Sequence, residues 1–108
     1  MIGTKQLNDY LPLTEATFYI LLSLTEPRHG YAVMQDVESM SNGTVKLGPG
    51  TLYGAFSKLE ENHLIKMIDE IDRRKIYTIT DSGRQVLSAQ ADRYEVMLEN
   101  VENRKTRF

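Results

Sequence analysis

Cysteine is missing from this chain of 108 residues, and with it go disulfides, thiolate nucleophiles and cysteine-ligated metals. The absence fits a reducing compartment, and the expected location is the cytoplasm. Tryptophan is absent too, and the only histidines, His29 and His63, lack the spacing of a metal pair. No cofactor is expected. Long apolar runs are scarce: the longest, from Phe18 to Leu24, is interrupted by Ser23 and is far too short to cross a bilayer. The chain opens without a basic segment leading into an apolar one, so neither a secretory leader nor a membrane partner is expected. No serine, histidine or carboxylate pair stands in a catalytic context, which argues against an enzyme. An excess of positive charge is also lacking, with a net charge of −2 and a pI near 5.7.

What remains is the composition of one folded domain, 41% hydrophobic and 26% charged. The distribution of charge says more than its sum. From Ser41 to Leu59 there are two lysines and no acid, and Arg73-Arg74-Lys75 form a compact basic cluster flanked by Asp69, Glu70 and Asp72. The acids gather late, with Asp81, Asp92, Glu95, Glu99 and Glu102 set against only Arg84 and Arg93. A locally positive middle therefore survives an acidic total.

Thr14 and Glu15 form a helix start, an N-cap with an acid in the first turn. The following helix, to about Thr25, is apolar nearly all round and is expected to be the central buried one. Before it, the segment from Met1 to Pro12 carries Leu7, Tyr10 and Leu11 and is expected to form a short helix that packs elsewhere. Gly30 opens a second helix with Tyr31, Met34, Val37 and Met40 inward and Val33 on the flank, closed by Asn42-Gly43. Thr44 to Lys46 is short and β-prone. After a third helix, Leu64 to Met67 and Lys75 to Ile79 read as two strands, with Asp69 to Arg74 as an exposed hairpin tip. The sum is a mainly α, α+β chain, a winged helix-turn-helix, in which the third helix enters a major groove and the hairpin reaches the neighbouring backbone.

The third helix carries the sharpest signal. Gly48-Pro49-Gly50 pre-sets its first turn, and Leu52, Phe56 and Leu59 recur at helical spacing to define an inward face. Opposite them stand Thr51, Tyr53, Gly54, Ser57 and Lys58, with no acid before Glu60. Uncharged donors beside one lysine, with open amides at Gly50 and Thr51, suit phosphates and base edges. The expected DNA-binding set is Gln35, Gly50, Thr51, Tyr53, Ser57, Lys58, Arg73, Arg74 and Lys75. Bland alternatives stand beside it. Tyr53 would lie across the hairpin as packing, Lys58 would be a solvated charge, the arginines would neutralise their own acidic neighbours, and Tyr31 is expected in the core. His29 is expected to order the turn before Gly30.

Thr80 to Gly83 offer caps for a last helix whose apolar positions Leu87, Ala91, Tyr94, Leu98 and Val101 step four and three, with Val86 and Met97 alongside. From Ser82 to Arg104 it would run ~35 Å, at ~1.5 Å per residue. That is longer than a small core covers, so a second copy is expected on this seam, and the alternative is that the seam folds back on the chain's own first helix. The expected organisation is a winged-helix domain over 1–80, with an N-terminal extension over 1–12. A dimerisation helix and polar tail follow over 81–108, in the same unit.

Leu13-Thr14-Glu15, Ile20 to Leu24, His29-Gly30-Tyr31, Gly48-Pro49-Gly50-Thr51-Leu52-Tyr53 and Tyr77 to Arg84 fall in an order that resembles PadR-like transcriptional regulators. The similarity runs from about Leu13 to Leu87 and points to the shorter branch of that family, with one C-terminal helix. The resemblance implies a homodimeric, cytoplasmic repressor that binds double-stranded DNA at a dyad-symmetric operator. It also implies relief of repression by a small apolar or aromatic effector near the dimer interface, for which Leu7, Tyr10, Tyr94 and Met97 are the candidates. Two departures stand out. His63 replaces the family's usual glycine, which predicts a strained turn, and without tryptophan a stacking site would rest on Tyr94 or Tyr10. A winged helix that binds another protein is the competing reading.

Overall fold

The Thr14 hydroxyl accepts the Thr17 amide at 3.1 Å and starts the helix on which the fold is built. In the computed structural model, which describes residues 3–108, five helices surround a small antiparallel sheet. They are α1 (Thr4–Asp9), α2 (Glu15–Ser23), α3 (Gly30–Met40), α4 (Pro49–Glu61) and α5 (Asp81–Arg104). The strands are β1 (Arg28–His29), β2 (Ile65–Ile71) and β3 (Arg74–Ile79), and Lys105–Arg107 adds a final 3₁₀ turn. The expected N-terminal extension begins at Met1, which with Ile2 lies outside the described residues. Its remainder forms α1, and Leu7, Tyr10 and Leu11 pack half-buried on the chain's own core.

α2 is central, as its composition predicts. Ile20, Leu21 and Leu24 are fully buried among Val33 and Val37 of α3, Leu52, Phe56 and Leu59 of α4, the sheet residues Ile65, Tyr77 and Ile79, and Val86 of α5. The inward face of α3 differs from expectation. Residues three apart drift about 60° per step around a helix, so Tyr31, Met34, Val37 and Met40 cannot all face one side. The structure turns Val33 and Val37 fully inward and leaves Tyr31 59% exposed, not in the core. Thr44 to Lys46 forms no strand, because the Ser41 hydroxyl accepts the Val45 amide at 3.0 Å and ties the segment back to α3.

The expected two-stranded hairpin is a three-stranded sheet of order β1-β3-β2. β1 pairs Arg28 with Tyr77 and His29 with Ile76, so His29 belongs to a strand as well as preceding α3. A strand of two residues leaves no alternation to read. Between β2 and β3 the turn is only Asp72-Arg73, with φ of 51° and 66°, the left-handed pair of a I′-type hairpin turn. Arg74 and Lys75 therefore begin β3, and only Arg73 sits at the tip.

His63 lies at φ 60°, in the left-handed region that favours glycine, so the strain expected of the turn falls on this residue. The Thr80 hydroxyl accepts the Gly83 amide at 3.0 Å and donates to the His63 carbonyl at 2.6 Å, joining the start of α5 to the entry of the hairpin. Gly83 permits that contact, since a Cβ there would lie 2.1 Å from the Leu64 carbonyl oxygen. Further along, the buried Gln90 side chain accepts the Leu13 amide and fixes α5 to the start of α2.

Candidate nucleic-acid interface

The exposed side of α4 is built by its N-terminus. Gly48 caps it, Pro49 occupies the first turn, and the Leu52 amide takes the Gly48 carbonyl at 3.0 Å. The amides of Gly50 and Thr51 lie before that bond and point out of the helix end without an intrahelical acceptor. Gly50, Thr51, Tyr53, Gly54, Ser57 and Lys58 are all exposed, and the helix shows no acid to solvent until Glu60. Gln35 lies exposed on α3.

A cleft of about 580 Å³ separates α4 from the hairpin. It gathers Tyr53 and Ser57 from α4 with Arg73, Arg74 and Lys75 from the wing, five of the nine expected contacts. Gln35, Gly50, Thr51 and Lys58 lie outside its lining. Tyr53 is 49% exposed, and its ring meets Phe56 edge-on at 5.9 Å, so it both packs and faces solvent. Among the described residues no ion pair engages Arg73, Arg74, Lys75 or Lys58. Glu70 stands opposite Lys75 across the ladder without an ion pair to it, and the Asp69 carboxylate accepts the Glu70 amide at 2.7 Å.

Six further residues line the cleft: His29, Gly30, Tyr31, Phe56, Glu60 and Tyr77. Tyr31 is obscured in the sequence by its place in a three-residue apolar rhythm, and Glu60 by marking the end of an acid-free face. Of these six, Tyr77 packs on Phe56 with ring centroids 4.8 Å apart. Burial pushes its phenol above the ordinary value, with the charge on Glu60 and the Tyr53 hydroxyl adding to the shift. No group of three or more metal-ligating side chains occurs among the described residues.

The seam of α5 divides along its length. Leu87, Ala91 and Tyr94 are half-buried, Leu87 against the protein's own core. The Tyr94 ring stands edge-on to Phe18 of α2 at 4.8 Å, and its phenol is raised by burial, then by Glu15 and Tyr19. Past that point the same helical face comes into water, with Met97 50%, Leu98 58% and Val101 38% exposed. The effector candidates are not gathered together. Tyr10 lines a polar cleft with His63 and Ser82, whereas Met97 lines a separate shallow depression of about 450 Å³ with Pro12, Gln90, Arg93 and Val96. No helix among the described residues is long and apolar enough to cross a membrane.

Three helices, a basic hairpin wing and a cleft of unpaired donors between them define a winged helix-turn-helix protein of the regulator class. Comparison with known proteins makes this specific. The model of the transcriptional regulator PadR-like family matches residues 13–89, and the chain belongs to that family, one of transcriptional regulators and not of enzymes. It is 28% identical over 76 residues to the transcriptional regulator YqjI of Escherichia coli, covering 70% of this chain and 37% of that protein. A PadR family regulator from Clostridium difficile superposes with a TM-score of 0.71 at 20% identity, over 83% of this chain and 97% of the other. One from Eggerthella lenta superposes at 0.66 with 25% identity, over 92% and 84%. The chain spans between 22% and 65% of the length of the first curated relatives it matches.

Proposed function

We propose that this protein is a sequence-specific DNA-binding repressor that acts in the cytoplasm as a homodimer, with α4 in the major groove and the wing on the flanking backbone. The observation that carries the reading is the cleft, in which α4 hydroxyls face three basic side chains that no acid pairs. Arginine at such a site pairs with phosphate through two parallel hydrogen bonds, and the α4 hydroxyls and amides complete the backbone contacts. Residues 1–80 form the DNA-binding domain in this reading, and 81–108 join two protomers through Leu87, Ala91, Tyr94, Leu98 and Val101. A small apolar or aromatic effector would enter beside Met97, where a second protomer would roof the shallow depression.

Two copies related by a dyad require a symmetric operator with half-sites about one helical turn apart. Selection of binding duplexes from a random pool with the purified protein is expected to return such inverted repeats. The affinity of a selected duplex, read by fluorescence anisotropy, should fall steeply as salt rises. An unenriched pool and no complex at low salt would favour the second reading, a winged helix that docks on another protein. The exposed Met67, Ile68 and Ile71 on edge strand β2 are the feature that supports that alternative.

A further inference from the structure

The first residue of α3 touches the α4 residue expected to face DNA. A Cβ built on Gly30 would lie 2.5 Å from the Tyr53 hydroxyl oxygen, 2.8 Å from Cζ and 3.0 Å from Cε1. All three of the nearest atoms belong to that one side chain, which leans on the bare Cα of Gly30 on one side and meets Phe56 on the other. Gly30 itself is buried and helical, with no need of the left-handed conformation, so nothing in its backbone asks for glycine. Gly83 is the contrast, because there the obstructing atom is a backbone carbonyl that cannot step aside.

We propose that Gly30 is a positioning residue for DNA binding: its missing side chain seats the Tyr53 ring against α3, so that the ring forms a wall of the cleft opposite the wing. The proposal rests on the reading of Tyr53 as a DNA-facing residue. A methyl group at position 30 forces the ring outward, and a half-exposed ring is free to swing. The fold then tolerates the change, since Ala is the better helix former, while the cleft changes shape. Stability and DNA affinity should therefore separate.

The test is a double-mutant cycle on a duplex selected from a random pool, with Gly30→Ala, Tyr53→Ala and the pair measured for anisotropy affinity and for thermal unfolding. Gly30→Ala is expected to weaken binding about tenfold with its unfolding midpoint unchanged or raised, the effect of misplacing a single DNA-facing group. Once Tyr53→Ala has removed the ring, adding Gly30→Ala should change affinity less than about twofold. If Gly30→Ala fails to fold but the pair folds, the ring is again identified as what the glycine accommodates; failure of both to fold overturns the proposal. Tyr53→Ala weakening binding while Gly30→Ala does not would overturn the positioning role alone. A Tyr53→Ala protein with full affinity would remove Tyr53 from the DNA reading, and this proposal with it. A wild-type protein that binds no duplex would remove the DNA reading as a whole.

Discussion

Ser23 shows how much one side chain depends on where its helix lies. In the sequence it interrupts an apolar run; in the structure its residue is 2% exposed, and among the described residues its hydroxyl has no hydrogen-bond partner. A buried polar group that gives up water without replacement costs stability. Ser23→Ala is therefore expected to raise stability by up to about 1 kcal/mol, read as a higher urea midpoint with an unchanged slope. A lower midpoint would mean that the hydroxyl has an acceptor after all. Other residues are easier to read. Thr14 and Thr80 are caps by type and position, and both accept the expected amides. His63, standing where the family usually has glycine, falls in the left-handed region where a side chain is strained. Tyr31 resists because a step of three residues is shared by inward and outward faces of a helix, and only its neighbours decide between them.

Among the elements, the wing differs most from its sequence outline. The hairpin is legible from alternating β-branched residues around a charged middle, but its tip is two residues long and places Arg73 alone in the left-handed turn beside Asp72. Ladder pairing extends β2 to Ile71 and starts β3 at Arg74, and pairing between strands is a property of two segments, not of one. β1 is invisible locally for the same reason, as its two residues become a strand only because β3 passes beside them. Arg73 and Arg74 nonetheless keep their charges unpaired at the mouth of the cleft. The double substitution Arg73→Ala/Arg74→Ala should lower operator affinity and make the log–log salt dependence shallower by roughly two, one for each phosphate that no longer meets a cation. An unchanged slope would take the wing off the DNA.

For the whole molecule the decisive feature is the reach of α5. At 24 residues it runs about 36 Å, and the protein's longest dimension is 53 Å. Its apolar face is buried through Val86 and Gln90, half-covered at Tyr94 and open at Leu98 and Val101. The fold-back expected as the alternative to a clasp occurs on the first part of the helix, where Tyr94 meets Phe18 of α2, and the rest of the seam stays open to a second copy. Because Leu98 and Val101 already lie in water, Leu98→Glu/Val101→Glu should leave the unfolding midpoint of the monomer nearly untouched. In the dimer reading the same pair yields a monomer by sedimentation and lowers operator affinity by about a hundredfold or more, since two linked half-site contacts become one. A variant that still sediments and binds as the wild type does would rule out this surface as the clasp.

Local chemistry alone determined the helix starts, the acid-free face of α4 and the existence of a hairpin, while the order of the chain's motifs carried the resemblance to the family. Caps, prolines and residue periods act within a few positions of themselves, so they are legible along the chain. The tertiary structure alone decided where the apolar face of α5 stops being interior, which tyrosines line the cleft, and what Gly30 leaves room for. Those answers depend on contacts between segments far apart in the chain, such as Gly30 with Tyr53 and Phe18 with Tyr94, which come into being only when the core closes.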